Sequence, residues 1–179
     1  MSTGLRKLTL TAHVASSVGW LGAVAGCGAL AVVGRTSDDQ QLVRGAYLAV
    51  DVIVRFVIVP LALGAVLTGL VQALGTQWGL FRHYWVAIKF IVTVVAAGVM
   101  LASLDMVGDL ANMAAQHHLA PAEMAAHRTD LVVHTVGGAG LLLVPLALSI
   151  YKPRGVTRYG HRKAATHVTA RTASLAGQR

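Results

Sequence analysis

The sequence predicts an all-α fold: a transmembrane four-helix bundle with both termini on the cytoplasmic side (N-in/C-in). Three observations predict it. Of 179 residues, 55% are hydrophobic and only 12% charged, about half the charged fraction of a soluble domain, and the mean hydropathy is +0.64. Four apolar runs, at residues 8–33, 47–74, 84–104 and 131–151, each reach the roughly 20 helical residues that cross about 30 Å of hydrocarbon. Lysine and arginine placement then orients them. Arg6, Lys7, Arg82, Lys152, Arg154, Arg158, Arg162, Lys163, Arg171 and Arg179 fall on one side, and only Arg35, Arg44 and Arg128 on the other. The minority side also carries Asp38, Asp39, Asp105, Asp109, Glu123 and Asp130.

The organisation that follows is a four-span membrane domain over residues 1–155 and a basic cytoplasmic tail over 156–179. One cysteine excludes an internal disulfide and a cysteine-only metal centre. The formal charge of +8 gathers at the C-terminal end. There it points to anionic lipid headgroups rather than nucleic acid.

The first run holds the most informative stretch, residues 12–28. His13, Ser17, Trp20, Val24 and Cys27 share one helical face, and Ala12, Ser16, Gly19, Ala23 and Gly26 form a stripe of small residues beside it. Such a stripe lets another helix backbone approach closely. Val24-Ala25-Gly26-Cys27 resembles a lipoprotein cleavage box, yet the apolar run continues through Val33, so the segment reads as an uncleaved first span.

The second run carries Tyr47, Asp51 and Arg55 at i, i+4 and i+8, and Pro60 further on. Asp51 and Arg55 are spaced to neutralise each other as a structural ion pair. Arg55 is also a candidate anchor for an anionic group such as a haem propionate. The turn at 75–85 places Trp78, Phe81, Tyr84 and Trp85 where an interfacial aromatic belt belongs.

In the third run Lys89 lies about five residues from the cytoplasmic start, as His13 does in the first, so the two share a depth of roughly 7 Å. An ionisable residue at that depth is a functional candidate by default. Lys89 has Trp85 and Thr93 at i−4 and i+4; its long stem also allows it to snorkel to the interface. His13 needs a hydrogen-bond partner, for which Ser16 or Ser17 is the nearest candidate.

The stretch 105–130 reads as the longest connection. Pro121 marks a helix start that runs into the fourth span. This helix would put His127, Asp130 and His134 on one face, near His117, His118, Met106, Met113 and Met124. Those donors suit copper or zinc. His13, His134, His127 and Asp130 are therefore the candidate metal ligands. His13 and His134 lie too far apart along the membrane normal, roughly 20 Å, to ligate one iron from both faces.

The four spans, His13 followed by Trp20-Leu-Gly22, and the third-span opening Trp85-Val-Ala-Ile-Lys89 resemble a superfamily of membrane proteins. It includes the copper-resistance D membrane domain and the J-type protoporphyrinogen oxidase. The segment Thr68-Gly-Leu…Gly79-Leu-Phe-Arg-His-Tyr-Trp85 is most similar to its uncharacterised actinobacterial integral membrane proteins. The oxidase branch implies haem b, with His13 at the axial-ligand position and Lys89 at that of an essential lysine. The copper branch implies copper handling across the membrane. The resemblance also implies a multi-pass location in the bacterial inner membrane.

Three functional classes result. The first is a haem-b-binding protein with a redox or electron-transfer role, a membrane oxidoreductase if it is an enzyme. Its cofactor residues would be His13, Trp20, Lys89, Trp85 and Arg55. The second is copper or other metal handling. The third is a non-catalytic scaffold or partner subunit, using the small-residue stripes and basic tail to associate with a second copy or a redox partner.

Overall fold

The computed structural model describes residues 2–75, 84–116 and 121–151. The turn at 76–83 with its aromatic belt, His117, His118 and the basic tail lie outside these, as do the side chains of residues 121–125 with Met124 among them. The described residues form helices α1 (Thr3–Thr36), α2 (Gln40–Ile53), a π-helical turn (Val54–Ile58), α3 (Val59–Gly75), α4 (Tyr84–Ala102), α5 (Leu104–Ala115) and α6 (Pro121–Tyr151). Four of the resulting stretches are long and apolar enough to cross a membrane: Thr3–Thr36, Gln40–Gly75, Tyr84–Ala115 and Ala126–Tyr151. The described residues are all-helical, and the protein is a multi-pass membrane protein.

Each span packs on its neighbours in sequence, and the first closes the ring against the fourth. α1 lies against α2, α3 and α6, while α4 lies against α3 and α6. The small stripe predicted on α1 does what its geometry requires. A Cβ on Gly19 would come within 3.1 Å of Leu61, and one on Gly64 within 3.0 Å of the Ser16 hydroxyl. Only residues this small let α1 and α3 touch so closely. The other stripe, Trp20, Val24 and Cys27, is buried in the core and continues through Ala31.

The helices run further than the apolar runs predict. α1 is 34 residues long, about 51 Å at 1.5 Å per residue, well beyond 30 Å of hydrocarbon. α2 starts at Gln40 because Asp39 caps it, its carboxylate accepting from the Gln41 and Leu42 N–H groups at 2.9 and 3.4 Å. Most of the expected long connection at 105–130 is likewise helical. α5 buries Val107, Leu110, Ala111 and Ala114 and packs on α2. Hydropathy reports lipid contact, and these two segments are amphipathic, so an apolar-run reading truncates them. α6 starts at Pro121, as the sequence predicts.

Two irregularities shape the interior. Pro60 has no N–H, and its ring would meet the carbonyl four residues back. The helix widens just before it, with the Val59 N–H bonding the Val54 carbonyl across a π turn. Between α4 and α5 only Ser103 leaves the helix; its hydroxyl donates to the Met100 carbonyl at 2.8 Å.

With spans antiparallel in order, the starts of α1 and α4 and the ends of α3 and α6 share one end of the bundle, here called the terminal half. α2, α5 and the start of α6 make the distal half.

Candidate functional site

His13 on α1 faces α3. Its Nδ1 lies 3.1 Å from the Ala65 carbonyl oxygen and 3.1 Å from the Thr68 hydroxyl oxygen. The Thr68 hydroxyl donates to the Gly64 carbonyl, so both oxygens face His13 as acceptors. Nδ1 therefore carries a proton and donates, and in the neutral ring this leaves the lone pair on Nε2. The partners expected from sequence, Ser16 and Ser17, do not hold the ring; Ser16 is spent against Gly64. The approach depends on Gly69, where a Cβ would stand 3.1 Å from His13 Cε1 and 3.5 Å from Nδ1. Glycine there lets the imidazole reach the Ala65 carbonyl one turn earlier on α3.

Lys89 comes from α4 to the same place. Its ammonium donates to the Ser149 hydroxyl at 2.7 Å, two residues before the end of α6. That hydroxyl in turn donates to the Pro145 carbonyl at 2.7 Å. No ion pair reaches Lys89 among the described residues. Among the described residues, the aspartates Asp38, Asp39, Asp51, Asp105, Asp109 and Asp130 all belong to the distal half by their position in sequence. A half-buried ammonium without a carboxylate is costly in this medium. Its surroundings suit an anion.

Two cavities meet around these residues. One, of about 130 Å³, lies between α1, α3 and α4, with Trp85 and Phe90 in its wall. The other, of about 230 Å³, lies between α1, α4 and α6, with Trp20 and Pro145 in its wall. His13, Gln72, Lys89 and Thr93 line both. Gln72 is braced by its amide donating to the Thr9 carbonyl at 3.0 Å, and Thr93 by donating to the Lys89 carbonyl at 2.9 Å. The polar residues thus lie between the two cavities.

The structure brings together four of the five candidate cofactor residues: His13, Trp20, Trp85 and Lys89. Arg55 is not among them. It belongs to the distal half, where its Nε donates to Asp51 at 2.7 Å and its guanidinium rests against Gly108 of α5. The predicted ion pair is present, and Arg55 is not among the residues lining the cavities beside His13.

The candidate metal ligands are not gathered. Among the described residues no group of three or more His, Cys, Asp or Glu side chains is placed to hold a metal ion. His134 instead turns its Nδ1 to the Asp130 carbonyl of its own helix, at 2.8 Å. It lines a separate cavity in the distal half, away from His13.

Sequence reading missed Thr68, Gly69, Gln72 and Ser149. The first three lie at helical spacing on one face of α3, a polar stripe in an apolar run, and that was the available signal. The Ala65 carbonyl had none, since any residue type supplies one. Trp20 is 2% exposed, and its indole N–H is closed off without a hydrogen-bond partner. The ring separates the terminal cavity from the distal one, and both share it as a wall.

Compared with protein-family models, curated proteins and solved structures, the chain matches none.

Proposed function

We propose that this integral membrane protein binds haem b in the terminal half of its bundle and serves a redox or electron-transfer role in the bacterial inner membrane, with both termini cytoplasmic. The observation that carries this reading is the state of His13. Its Nδ1 proton is spent on a backbone carbonyl, and Nε2 keeps its lone pair beside two cavities. That is the arrangement by which an outer partner fixes the tautomer and orientation of a ligating imidazole.

The donor chemistry suits the group, and the two cavities, about 130 and 230 Å³ on either side of His13 and Lys89, would have to join and widen to admit it. His13 would bind iron through Nε2. Lys89, with no carboxylate beside it among the described residues, would hold a propionate. Trp20 and Trp85 would flank the ring. When bound, haem b supplies reversible one-electron transfer. The chain's own residues hold the imidazole, neutralise the carboxylate and exclude water from the site. The resemblance of His13, Trp20-Leu-Gly22 and Trp85-Val-Ala-Ile-Lys89 to the copper-resistance D and J-type protoporphyrinogen oxidase superfamily supports the same residues.

The test is an absorption spectrum with haem and metal quantification on protein purified without chelator. A Soret band is expected in wild type and is lost in His13→Ala, which stays folded and membrane-inserted. Wild-type protein without haem after incubation with excess haemin, or a His13→Ala variant with an unchanged spectrum, refutes the reading. Stoichiometric copper without haem would favour metal handling instead.

A further inference from the structure

The distal half contains a cavity that the haem reading leaves unused. It has a volume of about 240 Å³ and lies where α1, the π turn, α4, α5 and α6 converge. An apolar cavity of about 150 Å³ is enough to hold a benzene molecule. The distal cavity therefore has room for one substituted ring. Trp20 and Cys27 close its inner end, and Met100 and Met106 offer thioethers suited to contact with an aromatic face.

Its mouth opens between helices toward the bilayer. Val133, His134 and Gly137 of α6 line it and are exposed. A Cβ on Gly137 would meet nothing within 4 Å. His134 is out of place here. Ionisable groups inside a membrane almost always face the bundle interior or a partner. The Asp130 carbonyl can only accept, so Nδ1 donates to it. In the neutral imidazole Nε2 is then an acceptor, and no hydrogen bond to it exists among the described residues.

The other polar groups of the cavity are acceptors as well. The Ser103 hydroxyl donates to Met100 and the Thr135 hydroxyl to Leu131, each at 2.8 Å. The Trp20 N–H is sealed off. A lining that offers acceptors and no strong donor selects a ligand that brings its own O–H. A bare acyl chain gains nothing here over the surrounding lipid, and a ligand carrying only a carbonyl would find no donor.

We infer that the distal cavity binds the hydroxylated aromatic ring of a lipid-soluble ligand, a phenol or hydroquinone, with the ring between Trp20 and the two methionines and its O–H donating to His134 Nε2. This site is separate from His13 and does not depend on haem being bound there.

The experiment uses the full chain in lipid nanodiscs, with protein-free nanodiscs subtracting partition into lipid. The probes are 4-pentylphenol and its methyl ether, measured by equilibrium dialysis. The phenol should bind one per protein and about tenfold more tightly than the ether, which is roughly the worth of one hydrogen bond formed out of water. His134→Leu should bring the phenol to the level of the ether. His134→Gln, whose amide oxygen accepts, should keep the preference, and Ala96→Leu, which fills the cavity, should remove both. Equal binding of phenol and ether to wild type, or a preference that survives His134→Leu, overturns the inference. So does the absence of any binding above protein-free discs. The measurement is repeated on His13→Ala protein; unchanged phenol binding there separates the fate of this site from that of the haem site.

Discussion

The contact between His13 and Gly69 yields a prediction whose sign reverses with background. In wild type, a Cβ on residue 69 stands 3.1 Å from His13 Cε1 and 3.5 Å from Nδ1. The first distance is a few tenths of an ångström too short for carbon atoms at rest, whose optimum is about 3.5–4.0 Å. The imidazole must back away, and backing away stretches bonds to Ala65 and Thr68 that are already at 3.1 Å. Overpacking of this kind costs about 1–3 kcal/mol, and a weakened hydrogen bond adds up to about 1 kcal/mol. Against this, alanine is a better helix former than glycine by about 1 kcal/mol. Gly69→Ala should therefore destabilise the protein, by up to about 3 kcal/mol. In a His13→Ala background the clash and the bond are both gone, and the propensity term alone remains. There Gly69→Ala should stabilise by up to about 1 kcal/mol. The assay is unfolding from mild detergent into SDS, followed by helix content for the wild type, both single variants and the double variant. The same sign in both backgrounds would refute the claim that glycine at 69 exists to seat the imidazole.

Arg55→Leu should lower the yield of folded protein more than Arg55→Leu combined with Asp51→Leu. The single change strands a carboxylate that is 24% exposed on its side chain, at a cost of about 2.5–3.5 kcal/mol on an insertion scale; the double change restores an apolar span. Equal yields from the two variants, measured by size-exclusion chromatography, count against a functioning pair. For topology, single cysteines at Ser37 and Ser174 should be labelled from opposite sides by a membrane-impermeant maleimide in intact cells, in a Cys27→Ala background. Labelling of both from one side removes the proposed orientation.

What the sequence determined by itself is what one-dimensional patterns can carry. Hydropathy placed four spans because lipid contact demands long apolar runs, and spacing placed Asp51 and Arg55 on one face because i and i+4 meet on any α-helix. The interior and packing faces of α1 were legible for the same reason. Pro121 was legible as a helix start because its missing N–H is harmless only there. Helix ends were poorly legible at Gln40 and Ala115, because amphipathic extensions that pack on each other have no lipid signature. The site was legible only in part. His13 and Lys89 could be matched in depth from residue counting, since rise per residue is constant. Which side chain would hold which group depended on the azimuth of four helices about their axes. The packing of α1 on α3 gave His13 a backbone carbonyl instead of a neighbouring serine, and the placement of α6 gave Lys89 the Ser149 hydroxyl. Packing likewise left Arg55 in the distal half and His134 at the mouth of its own cavity. These outcomes belong to tertiary structure because hydrogen bonds and voids inside a bundle depend on rotations and offsets between helices, and no spacing within a single helix encodes them.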